Sequence, residues 1–234
     1  LTPKATTVAL ILSAALGILG LWAPDAGAHR PQFSEPPAHA TPETALQLPD
    51  IDVSRAIYRR APDADPFWVR LSGKAGEPLR IQLGVPRIER LADFRPTVVL
   101  VGPELPQPEA LPPSIDMPME GGARVFATGG VEDPRVFHEE ITGTASWVIV
   151  ERSLRLPETG AYYIAVHSAE SGRYWISTGS REAFGLADVA KLPAWTERVR
   201  AFHEVEGWPA WMTITTLIAV LLAMGGIWIG VRSL

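Results

Sequence analysis

Two long apolar runs bracket this chain, residues 7–23 and 212–231, and everything between them is polar enough for water. The second run, MTITTLIAVLLAMGGIWIGV, carries no ionisable side chain. Roughly 20 such residues at about 1.5 Å rise match the hydrocarbon thickness of a bilayer, so a transmembrane helix is predicted within residues 208–234. Trp208 and Trp211 precede it and Trp228 lies near its far end, where indole rings favour the headgroup zone. Arg232 then marks the cytoplasmic side. Ala219, Ala223, Gly225, Gly226 and Gly230 recur at roughly one-turn spacing, which suits either a helix-packing face or the ordinary glycine content of such helices.

The first run allows two readings. Lys4, an apolar stretch, Pro24 and then Ala26-Gly27-Ala28 fit a signal peptide cleaved after Ala28, within residues 1–28. The same stretch is long enough for a retained membrane helix. Either way Lys4 and Arg232 place residues 29–207 opposite the cytoplasm, which in a bacterium is the periplasm. The charge balance is 21 basic against 26 acidic side chains, and the acidic excess grows by two when Lys4 and Arg232 are set aside. Nucleic acid is therefore not an expected partner. Without cysteine there is no disulfide, thiol nucleophile or thiolate metal site, and a hydrophobic core must supply the stability.

Between the runs, residues 29–49 hold Pro31, Pro36, Pro37, Pro42 and Pro49 and are expected to form an extended arm, either mobile or lying along a partner. The string DIDVSRAIYRR (residues 50–60) is expected to hold a short helical turn capped at Asp52 or Ser54. From Phe67 the period becomes two. FWVRLSG and LRIQLGV, joined through Gly76, read as a hairpin with Leu79, Ile81, Leu83 and Val85 on one face. TVVLV (97–101) is apolar on both faces, as a strand in the middle of a sandwich should be. A proline-rich excursion (103–122) precedes ARVFAT, RVFHEEI, SWVIVERSLRL, AYYIAV and RYWIST. About eight short strands separated by turn signals predict a mainly β fold, an antiparallel jelly-roll-like sandwich over residues 50–180. Helical spacing returns over residues 181–207, where Leu192, Trp195, Val199 and Phe202 make one apolar stripe. This predicts an amphipathic juxtamembrane helix that either packs the sandwich onto the bilayer or a neighbour, through residues such as Trp195 and Phe202, or simply covers the sandwich.

LPETGAYYIAV followed by GRYWI resembles the closing hairpin of jelly-roll modules such as the bacterial pre-peptidase C-terminal domain. That resemblance implies fold, not activity. DVSRAIYRR, FRPTVVLVGPELP and ERVRAFHE before a last apolar segment resemble an uncharacterised bacterial family of exported, membrane-anchored proteins, which brings no assigned chemistry.

Candidate chemistry is sparse. Cleavage after Ala28 would give His29 an α-amine and an imidazole in one residue, the chelating start used by several periplasmic copper proteins. Met117 and Met119 could offer thioethers to Cu(I), or make an apolar contact. No H-x-H or H-x-x-x-H occurs, and His138 and His167 read as strand residues with satisfied rings while His203 reads as solvated. Glu139 and Glu140 point to opposite faces of a strand and so cannot pair. Ser146 has no flanking base, there is no G-x-S-x-G, and the Gly-Gly pairs lack the lysine and helix of a phosphate loop.

What remains suits docking. The first reading is a non-enzymatic accessory subunit, without cofactor, that docks on the periplasmic face of a larger integral membrane complex, a photosynthetic reaction centre with its light-harvesting antenna or a respiratory assembly. Its contacts would be Trp195, Phe202, Trp208, Trp211 and the small-residue face of the last helix. The second is a membrane-anchored periplasmic ligand module taking copper at His29, or carbohydrate on Trp68, Trp147, Tyr163 or Trp175. No specific reaction has support.

Overall fold

The structure, a computed structural model, describes residues 29–62, 66–209, 211–214 and 216. Both apolar runs fall almost wholly outside these residues, and with them the expectations for Ala219, Ala223, Gly225, Gly226, Trp228 and Gly230. Among the described residues no helix is long and apolar enough to cross a membrane.

Two sheets face each other. Sheet A has the order β1-β3-β11-β5-β9-β8, built from Arg30–Ser34, Arg55–Ala61, Gly172–Thr178, Pro78–Pro86, Thr144–Arg155 and Arg135–Glu139. Sheet B has the order β2-β4-β10-β6-β7, from Leu46–Leu48, Phe67–Gly73, Gly160–His167, Thr97–Gly102 and Gly122–Phe126. Two helices follow, α1 (Leu186–Val189) and α2 (Leu192–Phe202).

Alternation does what the sequence expects of it on β5, where Leu79, Ile81, Leu83 and Val85 are all fully buried between the sheets. Each such side chain contributes about 1.5–3 kcal/mol when removed from water, so the inward face is not in doubt. β6 is apolar on both sides for the expected reason. Val98 and Leu100 join the core between the sheets, whereas Val99 and Val101 join a second cluster on the outer face of sheet B.

Pairing is where the expectation fails. β4 and β5 are not a hairpin: β4 pairs with β10 and β2 in sheet B, while β5 pairs with β11 and β9 in sheet A. β10 and β11 likewise lie in different sheets, so the closing hairpin that carried the resemblance is an arch between layers. An arch and a hairpin need the same turn residues and the same alternation. The turn at 74–77 is held both locally and by the distant Leu156: Lys74 N–H bonds the Glu77 carboxylate, and Gly76, at φ +77°, donates its N–H to Leu156 O.

Two further expectations are corrected by pairing at the sheet edges. The proline-rich segment is no free arm, because β1 runs parallel to β3 and β2 parallel to β4. Pro31 is tolerated because β1 is an edge strand that can leave one side unpaired. The string expected to form a helical turn is instead β3, whose Ile57 faces the core and whose Ala56 and Tyr58 face outward.

Both outer faces are covered. The excursion 103–122 does not project; Leu111, Ile115, Met117 and Met119 fold onto Trp68, Val99 and Val101 on the outer face of sheet B. On sheet A, Val199 and Phe202 of α2 pack on Ala56, Tyr58, Val148 and Trp175. Gly84 makes room for that layer, since a Cβ there would come within 2.2 Å of the Trp175 indole.

Candidate ligand cleft

Of the apolar stripe of α2, Val199 and Phe202 are buried against sheet A, whereas Leu192 and Trp195 are half-buried. Pro193 sits in the first turn, where its missing N–H costs nothing. Sheet A meanwhile curls around the helix: its two edge strands, β1 and β8, bring the rings of His29 and Phe137 to 6.5 Å between centroids. Where the N-terminal half of α2 meets the closing edges, a small cleft of about 30 Å³ opens to solvent. His29, Tyr58 and Glu139 line the sheet side, and Phe184, Trp195 and Thr196 the other.

Each polar group in the cleft is held from a different element. The His29 Nδ1 hydrogen-bonds the Ser54 hydroxyl, and its ring leans on Trp175 at 6.2 Å. Arg30 beside it donates from Nη2 to both carboxylate oxygens of Asp188 of α1, 2.8 Å to each, which pins β1 to the helical cover. Burial, with Arg80 adding a smaller push, lowers the His29 imidazole to about 4, so it is neutral at physiological pH. Tyr58 stacks on Phe33 at 5.2 Å and meets Phe202 edge-on at 5.1 Å. Burial and then Glu139 raise its hydroxyl, keeping it a proton donor.

Glu139 closes β8. One carboxyl oxygen accepts the Ile141 N–H at 3.3 Å, and among the described residues it forms no ion pair. Burial, opposed by that bond and reinforced by Glu140 and Glu182, pushes it up to about 7. The cleft thus presents an imidazole, a phenol and a carboxyl whose ionisation burial has moved up toward neutrality. An entering cation would displace the carboxyl proton and supply the charge partner the fold omits.

Sequence reasoning missed the nearest approach to catalytic geometry in the chain. His203, expected to be solvated, is buried, because α2 turns its C-terminal end into sheet A. Its Nδ1 lies 2.8 Å from Val199 O and its Nε2 3.0 Å from Ser146 Oγ. Only Nδ1–H can serve the carbonyl, so Nε2 accepts from the serine hydroxyl, whose oxygen also accepts Trp175 Nε1–H at 2.9 Å. A base thus lies against Ser146 from 57 residues away. Both residues are nonetheless enclosed and neither lines the cleft, so no substrate carbonyl reaches the hydroxyl. The pair is a buried polar joint between α2 and the sheet.

The other expected residues separate. Met117 and Met119 lie on the outer face of sheet B and His29 on that of sheet A, so they form no common copper site. Among the described residues no three His, Asp or Glu side chains are grouped to hold a metal. His167 bonds Ser114 Oγ at 2.6 Å, and His39 bonds Thr44 O at 2.7 Å. Trp68 and Trp175 are buried and Tyr163 is half-buried beneath the two covers, and Trp147 is half-buried against the core between the sheets, which removes the aromatic platform a carbohydrate would need. Tyr162, the neighbour of Tyr163 in β10, is fully buried as well. Phe202 is core rather than a partner contact, and Trp195 is half-buried at the cleft wall. Trp208 is 66% exposed, whereas Trp211 donates its Nε1–H to Ile141 O at 2.6 Å.

No family model and no curated protein matches the chain. Among solved structures, Aeromonas hydrophila PliG, a periplasmic inhibitor of g-type lysozyme, overlaps 65% of this chain and 98% of its own at 13% identity and a TM-score of 0.32. CorA, a surface-associated copper-binding protein of Methylomicrobium album BG8, overlaps 66% and 99% at 10% identity and a TM-score of 0.28. The copper-binding secreted protein MopE of Methylococcus capsulatus overlaps 66% and 100% at 11% identity and a TM-score of 0.28. Overlaps this loose leave the function to be argued from the chain itself.

Proposed function

We propose that this chain is a membrane-anchored, periplasmic ligand-binding module without enzymatic activity, and that it takes copper(II) in the cleft at His29. The observation that carries the reading is the meeting of His29, Tyr58 and Glu139 in one solvent-open cleft, with the carboxyl free of any ion pair among the described residues. Imidazole nitrogen with carboxylate and phenol oxygen is a donor set suited to copper(II). Cleavage after Ala28 would add the α-amine of His29 at the same place and complete a chelate, with Ser54 giving up its bond to the ring. Met117 and Met119 have no part in it.

Strand order supports the jelly-roll reading of the scaffold. Without the edge strands β1, β2 and β8, the sheets read β3-β11-β5-β9 and β4-β10-β6-β7, and most successive strands cross between them, as in two interlocked Greek keys.

The test is a copper(II) titration followed by electron paramagnetic resonance on protein whose N-terminus has been established by mass spectrometry. One equivalent should bind, and His29→Ala or Glu139→Gln should abolish it or lower its affinity at least tenfold. Unchanged binding in both variants sinks the cleft as the site. The accessory-subunit reading keeps one specific support, the exposed Trp208 just before the last apolar run. A larger complex co-purifying in stoichiometric amount would move it to the front.

A further inference from the structure

The chain enters and leaves the sandwich at one place. His29, the first described residue, shares the cleft with Ile141 and Thr142 of the turn joining β8 to β9. At the other end Trp211 is hydrogen-bonded to Ile141 O, and Pro209 lies beside Gly143. The segment between α2 and Trp211 is not a loose stalk. Arg200, buried at the base of α2, donates to Thr142 O at 2.6 Å, Glu206 O at 2.6 Å and Gly207 O at 2.9 Å, tying the chain to the same turn. The two apolar runs of the sequence stop six residues before His29 and start one residue after Trp211.

From this convergence we infer that the sandwich stands on the bilayer by the 139–144 turn, held at a fixed attitude rather than swinging on a tether. The inference rests on the membrane-anchored part of the proposed function and is independent of copper. The partner is the lipid surface. Trp208, between Gly207 and Pro209 at this turn, and Phe184 on the cleft beside it are exposed apolar side chains, and among the described residues no other strand connection carries both chain boundaries. Glu140 and Glu206 are exposed there, and Glu182 lies close enough to act on Glu139, so the contact is with zwitterionic headgroups, and anionic lipid weakens it. The cleft then opens close to the headgroups.

The absence of cysteine permits a direct test on the full chain in phosphatidylcholine vesicles. β9 begins at this turn and ends at Arg155, opposite Pro78, so the 74–77 turn lies about 36 Å away at the far end. Single cysteines at Glu140→Cys and Ala75→Cys would carry a fluorescent label, read with lipids brominated high in the acyl chain. Flotation with vesicles comes first, and failure to float overturns the anchoring reading and this inference with it. For protein that floats, the label at 140 should lose about half of its fluorescence and the label at 75 none. Equal quenching at both positions overturns the fixed attitude while leaving the anchor intact. Phe184→Cys repeats the measurement if Glu140→Cys does not fold. Arg200→Gln should erase the difference between the two labels with the circular dichroism of the sandwich unchanged, and a difference that persists removes Arg200 from the explanation.

Discussion

The outer faces of the two sheets are covered in different ways. Sheet B is roofed by an irregular proline-rich segment that touches it through Leu111, Ile115, Met117 and Met119, with His167 bonded to Ser114 at its edge. Sheet A is roofed by a regular helix joined to it through buried polar groups: Arg200, His203 with Ser146, and Arg173 donating to Phe202 O at 2.8 Å. The first roof is seated mainly by apolar area, with the His167–Ser114 bond as one polar tie, which suits stability. Directional bonds fix the second, and beside its less buried N-terminal half a small cleft with a carboxyl and an imidazole survives. Where a cover is held by a few oriented polar bonds, a protein can keep a gap open without losing the fold.

The comparison breaks most visibly at the apolar end of the helical roof. Phe202→Ala should cost about 3–5 kcal/mol in denaturant unfolding, because a fully packed ring leaves a cavity on Tyr58. A loss no larger than that of Met117→Ala would mean that the helical roof contributes no more than the proline roof. Arg200→Gln should cost roughly 2–3 kcal/mol, since buried carbonyls lose charged donors. Hydrogen exchange should then quicken at residues 204–208 and not over 111–119.

Acidity separates the roofs next. His29 and His203 are each depressed to about 4, so the unfolded chain binds more protons than the fold between about pH 4 and 6.5, and stability falls on acidification through that window. Glu139, raised to about 7, acts oppositely: its contribution is complete below about 4.5 and is lost as pH rises through 7. Glu139→Gln should therefore stabilise the protein at pH 8 by on the order of 1–3 kcal/mol and leave pH 4 nearly unchanged. A stability curve identical to wild type would show that the carboxyl is hydrated rather than buried. The smallest effect belongs to the proline roof. Met117→Ala should cost about 1 kcal/mol, as expected of a half-buried flexible side chain, and leave copper(II) binding intact. Weakened copper binding there would reconnect two faces that the fold separates.

How much of this was legible beforehand can be followed residue by residue. Leu79 to Val85, Val98 to Val101 and the stripe Leu192, Trp195, Val199, Phe202 announced their structure through periodicity, because burial of one face is a local, repeating demand. The partner of each strand was not legible. Gly76 and the four-residue turns permit an arch as readily as a hairpin, and which one forms depends on whether β5 finds β9 or β4, a contact across about 70 residues. The candidate site was illegible for the same reason. His29, Tyr58 and Glu139 lie 29 and 81 residues apart along the chain, and nothing near any of them signals the others.

By itself, then, the sequence determined a mainly β chain with polar material between two apolar runs, no thiol chemistry and one amphipathic helix. Each of these follows from composition or from a period shorter than a single element. Tertiary structure alone decided that the proline-rich segments are sheet edge and roof, that His203 is buried on Ser146, and that the chain enters and leaves beside one turn. These depend on the curl of sheet A and on which layer each strand joins, quantities summed over the whole sandwich that no local stretch of residues encodes.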